Sequence, residues 1–207
     1  MRKSASAYFH PSNAVTYLSL LAGLLAVVTA KEWRSWSAAG GLLALSALAD
    51  TLDGRFARLF RRDSDQQRFG VELDSLADAV TFGLVPVVAL CLLLTPASPG
   101  LRVAWIGAAF FYVVSALTRL GFYDLHHAQS ASFVGLPTTV AGLVWSSVFL
   151  TAPSTAVTVA VLVGTGIAMV SSIPIPRPRG LGLVGFGGWA VLLLILHGLA
   201  GRHPALG

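Results

Sequence analysis

Four aspartates stand at ordered positions in an otherwise strongly apolar chain. Asp50 and Asp53 lie in the run D-T-L-D-G-R-F-A-R, and Asp74 and Asp78 in G-V-E-L-D-S-L-A-D. A carboxylate at bilayer depth is disfavoured by roughly 2.5–3.5 kcal/mol on insertion scales, so it marks a functional site by default. Four of them in two matched clusters require a common cation, a shared proton or a water-filled cavity. On a helix of about 100° per residue, Asp50, Asp53, Gly54, Ala57 and Arg58 fall within an arc of roughly 140°. Gly70, Asp74 and Asp78 step by four and form one stripe. If the two helices lie side by side, all four carboxylates meet in one cleft. Oxygen ligands alone suit hard cations such as Mg²⁺, Mn²⁺ or Ca²⁺ rather than zinc. Gly54, Ala57 and Gly70 would let a bulky ligand or a neighbouring backbone come close, and Arg58 could pair with a phosphate. Buried salt bridges to local arginines are the competing structural explanation, and four aspartates at helical spacing with glycines between them disfavour it.

The pattern D-x2-D-G-x2-A-R … G-x3-D-x3-D resembles the signature of the CDP-alcohol phosphotransferase family of integral membrane enzymes. The run from Phe69 to Pro86, F-G-V-E-L-D-S-L-A-D-A-V-T-F-G-L-V-P, is similar to the corresponding run of the family's phosphatidylserine-synthase branch. So are F-V-G-L-P at Phe133–Pro137 and M-V-S-S-I-P at Met169–Pro174, while P-S-N-A-V-T at Pro11–Thr16 is similar to the opening of the family's first helix. The likeness runs from about Pro11 to Pro176. One departure is the spacing: eleven residues lie between Arg58 and Gly70, three more than the family's usual eight, and they fall in a polar stretch. The resemblance implies two divalent ions, Mg²⁺ or Mn²⁺, held by Asp50, Asp53, Asp74 and Asp78. It implies contacts to the cytidine diphosphate from Asp50, Asp53, Gly54, Ala57, Arg58, Gly70 and Asp74, and makes Asp78 the candidate catalytic base. It further implies CDP-diacylglycerol as donor, L-serine as acceptor, phosphatidylserine and CMP as products, and a homodimer.

The elements that must position these residues are membrane helices. The chain has 207 residues, 55% of them hydrophobic and 11% charged, with mean hydropathy +0.75. That composition belongs to a polytopic all-α membrane bundle, not a soluble globule, and one domain over residues 1–207 is the natural count. Cys91 is the sole cysteine, so no intrachain disulfide forms, and its apolar surroundings predict packing. The net charge of +5 does not point to nucleic acid, because the arginines cluster at predicted membrane boundaries.

Seven spans are expected: about 13–30, 37–60, 69–95, 101–122, 136–150, 155–170 and 181–199. The first, preceded by basic residues, also has the look of a signal peptide, but the chain stays membranous after it. Lys31–Trp36 is expected to be a polar turn, Arg61–Arg68 a polar loop outside the hydrocarbon, and Asp124, His126 and His127 a solvated loop. Arg119 lies at the inner end of the fourth span, either as a positive-inside anchor or as a contact for a lipid phosphate or the acceptor's carboxylate. Arg177 and Arg179 read as membrane-surface cations, and His197 and His203 as residues without partners.

With the N-terminus in the cytoplasm, ten Lys and Arg residues fall on the cytoplasmic side and four on the other. That satisfies the positive-inside rule and opens the aspartate cleft to the cytoplasm, as in a multi-pass plasma-membrane protein. The same chemistry on glycerol 3-phosphate, an inositol phosphate or a diether lipid donor stays open. So does a cation-binding transporter, which would explain the carboxylates but not Gly54, Ala57, Arg58 and Gly70.

Overall fold

The apolar runs become helices, and capping residues set several of their starts. The computed structural model describes residues 4–96, 98–126, 133–175 and 181–202. Its helices are α1 (Ala14–Glu32), α2 (Trp36–Ala57), α3 (Ser64–Asp78), α4 (Val85–Leu93), α5 (Pro99–His126), α6 (Thr138–Phe149), α7 (Thr155–Val170) and α8 (Leu181–Ala200). The Ser35 hydroxyl caps α2 by accepting from the Ala38 N–H, and Ser154 caps α7 through Val157. Asp63 and Gln66 form a reciprocal capping box at the start of α3, which satisfies two N–H groups that a helix start leaves open.

Between α3 and α4 the residues Ala79–Leu84 adopt a π-helical turn, so 64–93 run as one rod. A π turn disrupts the regular backbone bonding. Here the Tyr112 hydroxyl, fully buried on α5, donates to the Phe82 carbonyl at 2.6 Å. Phe82 lies against Gly142 of α6, where a Cβ would stand 2.4 Å from its ring. Glycine at that position is what lets the turn seat against α6.

Helix α2 is the hub, packed against α1, α6 and α8, while α5 pairs with α7 and α1 with α4. Leu43, Leu90, Tyr112, Trp145, Phe149 and Leu162 are fully buried in the core. Leu24, Val103, Ile106, Phe110, Val184 and Ile195 are exposed, the apolar exterior of a chain whose solvent is lipid. Residues 11–32, 64–93, 99–125 and 182–200 are long and apolar enough to cross a membrane, and α6 and α7 are shorter apolar helices. The protein is a polytopic helical membrane protein. Its α2 carries the charged motif and does not reach the same apolar threshold.

Several boundaries differ from expectation. Helix α3 starts at Ser64, inside the stretch read as a polar loop, because the capping box nucleates it there. Helix α5 runs through Asp124 to His126, which the loss of apolar periodicity had suggested was loop. Lys31 and Glu32 belong to α1. Strands β1 (Phe133–Val134) and β2 (Pro174–Ile175) pair antiparallel, Phe133 with Ile175 and Val134 with Pro174; two residues are too short to announce a strand. Cys91 is exposed rather than packed. His197 is buried, and its Nε2 stands 3.0 Å from the Ser146 carbonyl, joining α8 to α6. Arg2, Lys3, His127, Arg177, Arg179 and His203 lie outside the described residues.

Candidate active site

The motif aspartates come from α2 and from α3, with α1 and α6 closing around them. Asp50, Asp74 and Asp78 each offer a carboxylate oxygen, and these oxygens lie within 4.8 Å of one another. Asp53 lies beside Asp74, as Asp50 lies beside Asp78. All four are half-buried. Like charges this close repel by several kcal/mol unless something neutralises them. Among the described residues no lysine or arginine forms a direct salt bridge with any of the four; the Arg119 guanidinium acts on Asp78 and Asp50 from a longer distance.

Threonines take that place. Thr16 on α1 donates to Asp53 Oδ2 at 3.1 Å. Thr139 donates to Asp50 Oδ2 at 2.7 Å, and Thr138 to Asp78 Oδ2 at 2.9 Å. One oxygen of Asp74, Oδ1, is buried without a hydrogen-bond partner. An orphaned buried carboxylate oxygen is costly. Beside two further carboxylates it has the chemistry of a hard-cation ligand. The donor set thus fits a divalent metal, with Asp50, Asp74 and Asp78 as ligands.

The other motif residues surround this cluster. A Cβ at Gly54 would meet nothing within 4 Å, so open space adjoins α2 there. At Gly70 a Cβ would stand 3.3 Å from Arg62 Nη1 and 3.5 Å from Asn13 Oδ1, so this glycine admits side chains rather than a neighbouring backbone. Ala57 is buried at the end of α2. Arg58 is exposed, and its Nε donates to the Gly54 carbonyl at 2.9 Å, which folds the guanidinium back along the helix. Arg119 is only 7% exposed, and its Nη1 lies 3.5 Å from Thr138 Oγ1. Its guanidinium also stands 5.5 Å from the centre of the Tyr123 ring, within cation–π range. Ser75 donates to Asp124 at 2.8 Å, tying α3 to the end of α5.

One cavity adjoins the cluster and a second lies beside Arg119. The first, about 500 Å³, opens from Asp50 and Thr139 between α2, α6 and α8, lined by Leu183, Gly185, Phe186 and Trp189. The other, about 270 Å³, lies between α5 and the end of α7, lined by Arg119, Thr118, Phe122, Met169, Ser171 and Ser172. Thr138 and Thr139 escaped the sequence reading, although they directly follow the F-V-G-L-P run. A pair of threonines opening an apolar helix has no chemical signature of its own.

The sequence profile of CDP-alcohol phosphatidyltransferases matches residues 9–172. The CDP-diacylglycerol–serine O-phosphatidyltransferase of Mycobacterium tuberculosis (strain H37Rv) is 37% identical over 132 residues, 60% of this chain and 43% of that protein. Archaetidylserine synthase of Methanothermobacter thermautotrophicus is 29% identical over 181 residues, 87% of this chain and 75% of that protein. The CDP-diacylglycerol–serine O-phosphatidyltransferase of Methanocaldococcus jannaschii is 37% identical over 126 residues, 61% of this chain and 53% of that protein. The chain thus spans less than half the length of the mycobacterial relative it matches.

Proposed function

We propose that this chain, which belongs to the CDP-alcohol phosphatidyltransferase family, transfers a phosphatidyl group from CDP-diacylglycerol to L-serine, yielding phosphatidylserine and CMP. The observation that carries the reading is the convergence of Asp50, Asp74 and Asp78 oxygens within 4.8 Å, on the motif residues and inside the matched region. The names of the relatives support the serine acceptor.

In this reading Asp50, Asp53, Asp74 and Asp78 hold divalent metal, Mg²⁺ or Mn²⁺. Bound metal would offset the pyrophosphate's charge and make its phosphorus more electrophilic. The serine hydroxyl attacks the phosphorus that carries the diacylglycerol. The bond from that phosphorus to the bridging oxygen breaks, and CMP leaves with the oxygen. Asp78 takes the hydroxyl proton and orients the attacking oxygen. Thr138 donates to Asp78 Oδ2 and orients the carboxylate for that role. The open space beside Gly54 accommodates the cytidine diphosphate, with Ala57, Arg58 and Gly70 around it. Arg58 binds the Gly54 carbonyl through Nε alone, which leaves its Nη donors for a phosphate.

The apolar cavity between α2, α6 and α8 suits an acyl chain leaving sideways toward lipid. The smaller cavity beside Arg119 suits the acceptor, with the guanidinium on its carboxylate. We place the cleft on the cytoplasmic side of the plasma membrane on the positive-inside argument, count seven spans and a single domain, and assign a homodimer by family resemblance.

The test is CMP release by the purified full chain with Mn²⁺ or Mg²⁺, comparing L-serine, glycerol 3-phosphate and inositol phosphate as acceptors. A diether donor forms a second arm, because the Methanothermobacter relative is named an archaetidylserine synthase. Serine-dependent release supports the reading. Release only with another acceptor overturns the serine assignment, and failure to bind CDP at all overturns the transferase reading in favour of an ion site.

A further inference from the structure

Adjacent residues at the start of one helix reach two different catalytic-site helices. Thr138 is the first residue of α6 and Thr139 the second; at about 100° per residue their side chains diverge. Thr138 reaches Asp78 on α3, and Thr139 reaches Asp50 on α2. The start of α6 is itself clamped. The Gly135 N–H donates to the Ile173 carbonyl at 3.0 Å, and the Leu136 N–H to the Ala168 carbonyl at 2.9 Å. Gly135 has φ +74°, and a Cβ there would stand 2.1 Å from the Met169 carbonyl oxygen, so the end of α7 and this turn fit only with glycine.

The direction of the Thr138 bond is fixed as well. A guanidinium only donates, so Arg119 Nη1, 3.5 Å away, makes the Thr138 oxygen an acceptor. A hydroxyl has one proton, and it is then committed to Asp78. Both threonines are β-branched and stiff at χ1, and Thr138 is fully buried. Each engages Oδ2 of its aspartate. We propose that Thr138 and Thr139 are positioning residues that set the separation and orientation of Asp78 and Asp50, so that the carboxylate cluster is assembled for a divalent cation before that cation arrives.

This inference rests on the metal-site part of the proposed function, not on the identity of the acceptor. Its test uses the purified full chain in detergent with Mn²⁺ alone, neither donor nor acceptor being present. The readout is the Mn²⁺ concentration giving half-maximal thermal stabilisation, for wild type, Thr138→Val, Thr139→Val, Thr138→Ser and Thr139→Ser. Residues that orient metal ligands typically change affinity by about 10–100-fold when replaced. Each Val variant is expected to need that much more Mn²⁺, and each Ser variant to stay within about threefold of wild type.

Val variants with the wild-type Mn²⁺ midpoint overturn the proposal, and so do Ser variants as impaired as Val, which would mean packing. If a Val variant does not fold, Cys at the same position, similar in size and a weak donor, is judged by the same criterion. A wild-type chain that Mn²⁺ stabilises but that releases no CMP with any acceptor defeats the proposed reaction and leaves this inference standing. A wild-type chain that releases CMP while the Val midpoints are unchanged defeats this inference alone. A wild type that Mn²⁺ does not stabilise overturns it too.

Discussion

Replacing Asp78 by Asn should abolish turnover and at the same time make the metal-free protein more stable. The substitution keeps the shape and the Thr138 hydrogen bond, since the Asn carbonyl oxygen can accept it. It removes one negative charge from a cluster whose oxygens lie within 4.8 Å of each other. At that separation two full charges at an effective dielectric of about 20 repel by about 3.5 kcal/mol. Side-chain relaxation and residual solvent relieve part of this, so a gain of about 1–3 kcal/mol is expected. For a chain of this length each kcal/mol is worth roughly 2–4 °C in melting temperature. Loss of the base and of acceptor orientation should lower CMP release by roughly 10²–10⁴-fold. The assay pairs CMP release under saturating Mn²⁺ with melting in detergent plus EDTA. Activity within tenfold of wild type refutes the role given to Asp78. A melting temperature that falls in EDTA refutes the electrostatic argument, because it would mean that the carboxylate contributes net stability without metal.

Three other outcomes follow from the geometry. Gly135→Ala places a side chain where a positive φ and the Met169 carbonyl exclude it; strain at such a position costs about 1–3 kcal/mol before any clash is counted, so the melting temperature should fall by several degrees, and an unchanged value would disprove the clamp. Gly185→Leu projects into the cavity beside Asp50 and should raise KM for a long-chain donor while sparing a short-chain one, as measured by CMP release; equal effects on both would remove the acyl chain from that cavity. Arg119→Lys keeps the charge and loses the planar fork. Hydrogen bonds to charged groups contribute about 1.5–3 kcal/mol, so KM for serine should rise by roughly 10–100-fold with the donor's KM unchanged, and an unaltered serine KM would take Arg119 out of the acceptor site.

The sequence by itself determined the membrane helices and the faces of the two motif helices. Both are local properties. Apolar run length is read along the chain, and Asp50 shares a side with Asp53 because a helix repeats every 3.6 residues. The same periodicity placed Asp74 and Asp78 together. Local signals also misled: the polar residues around Asp63 looked like loop, yet Asp63 and Gln66 cap a helix that starts among them. The loss of apolar periodicity near Asp124 ended a predicted span that in fact continues to His126.

What only the tertiary structure decided is how the carboxylates are held. Thr138 meets Asp78 from 60 positions away and Thr139 meets Asp50 from 89, and no spacing rule reaches that far. The tertiary structure also decided that Tyr112 takes the Phe82 carbonyl at the π turn and that the start of α6 is clamped to the end of α7 through Gly135. Helical periodicity ties a residue to its neighbours within a few turns. Which hydroxyl satisfies a buried carboxylate depends on how α2, α3 and α6 pack, and that is decided by complementary surfaces distributed over the whole chain.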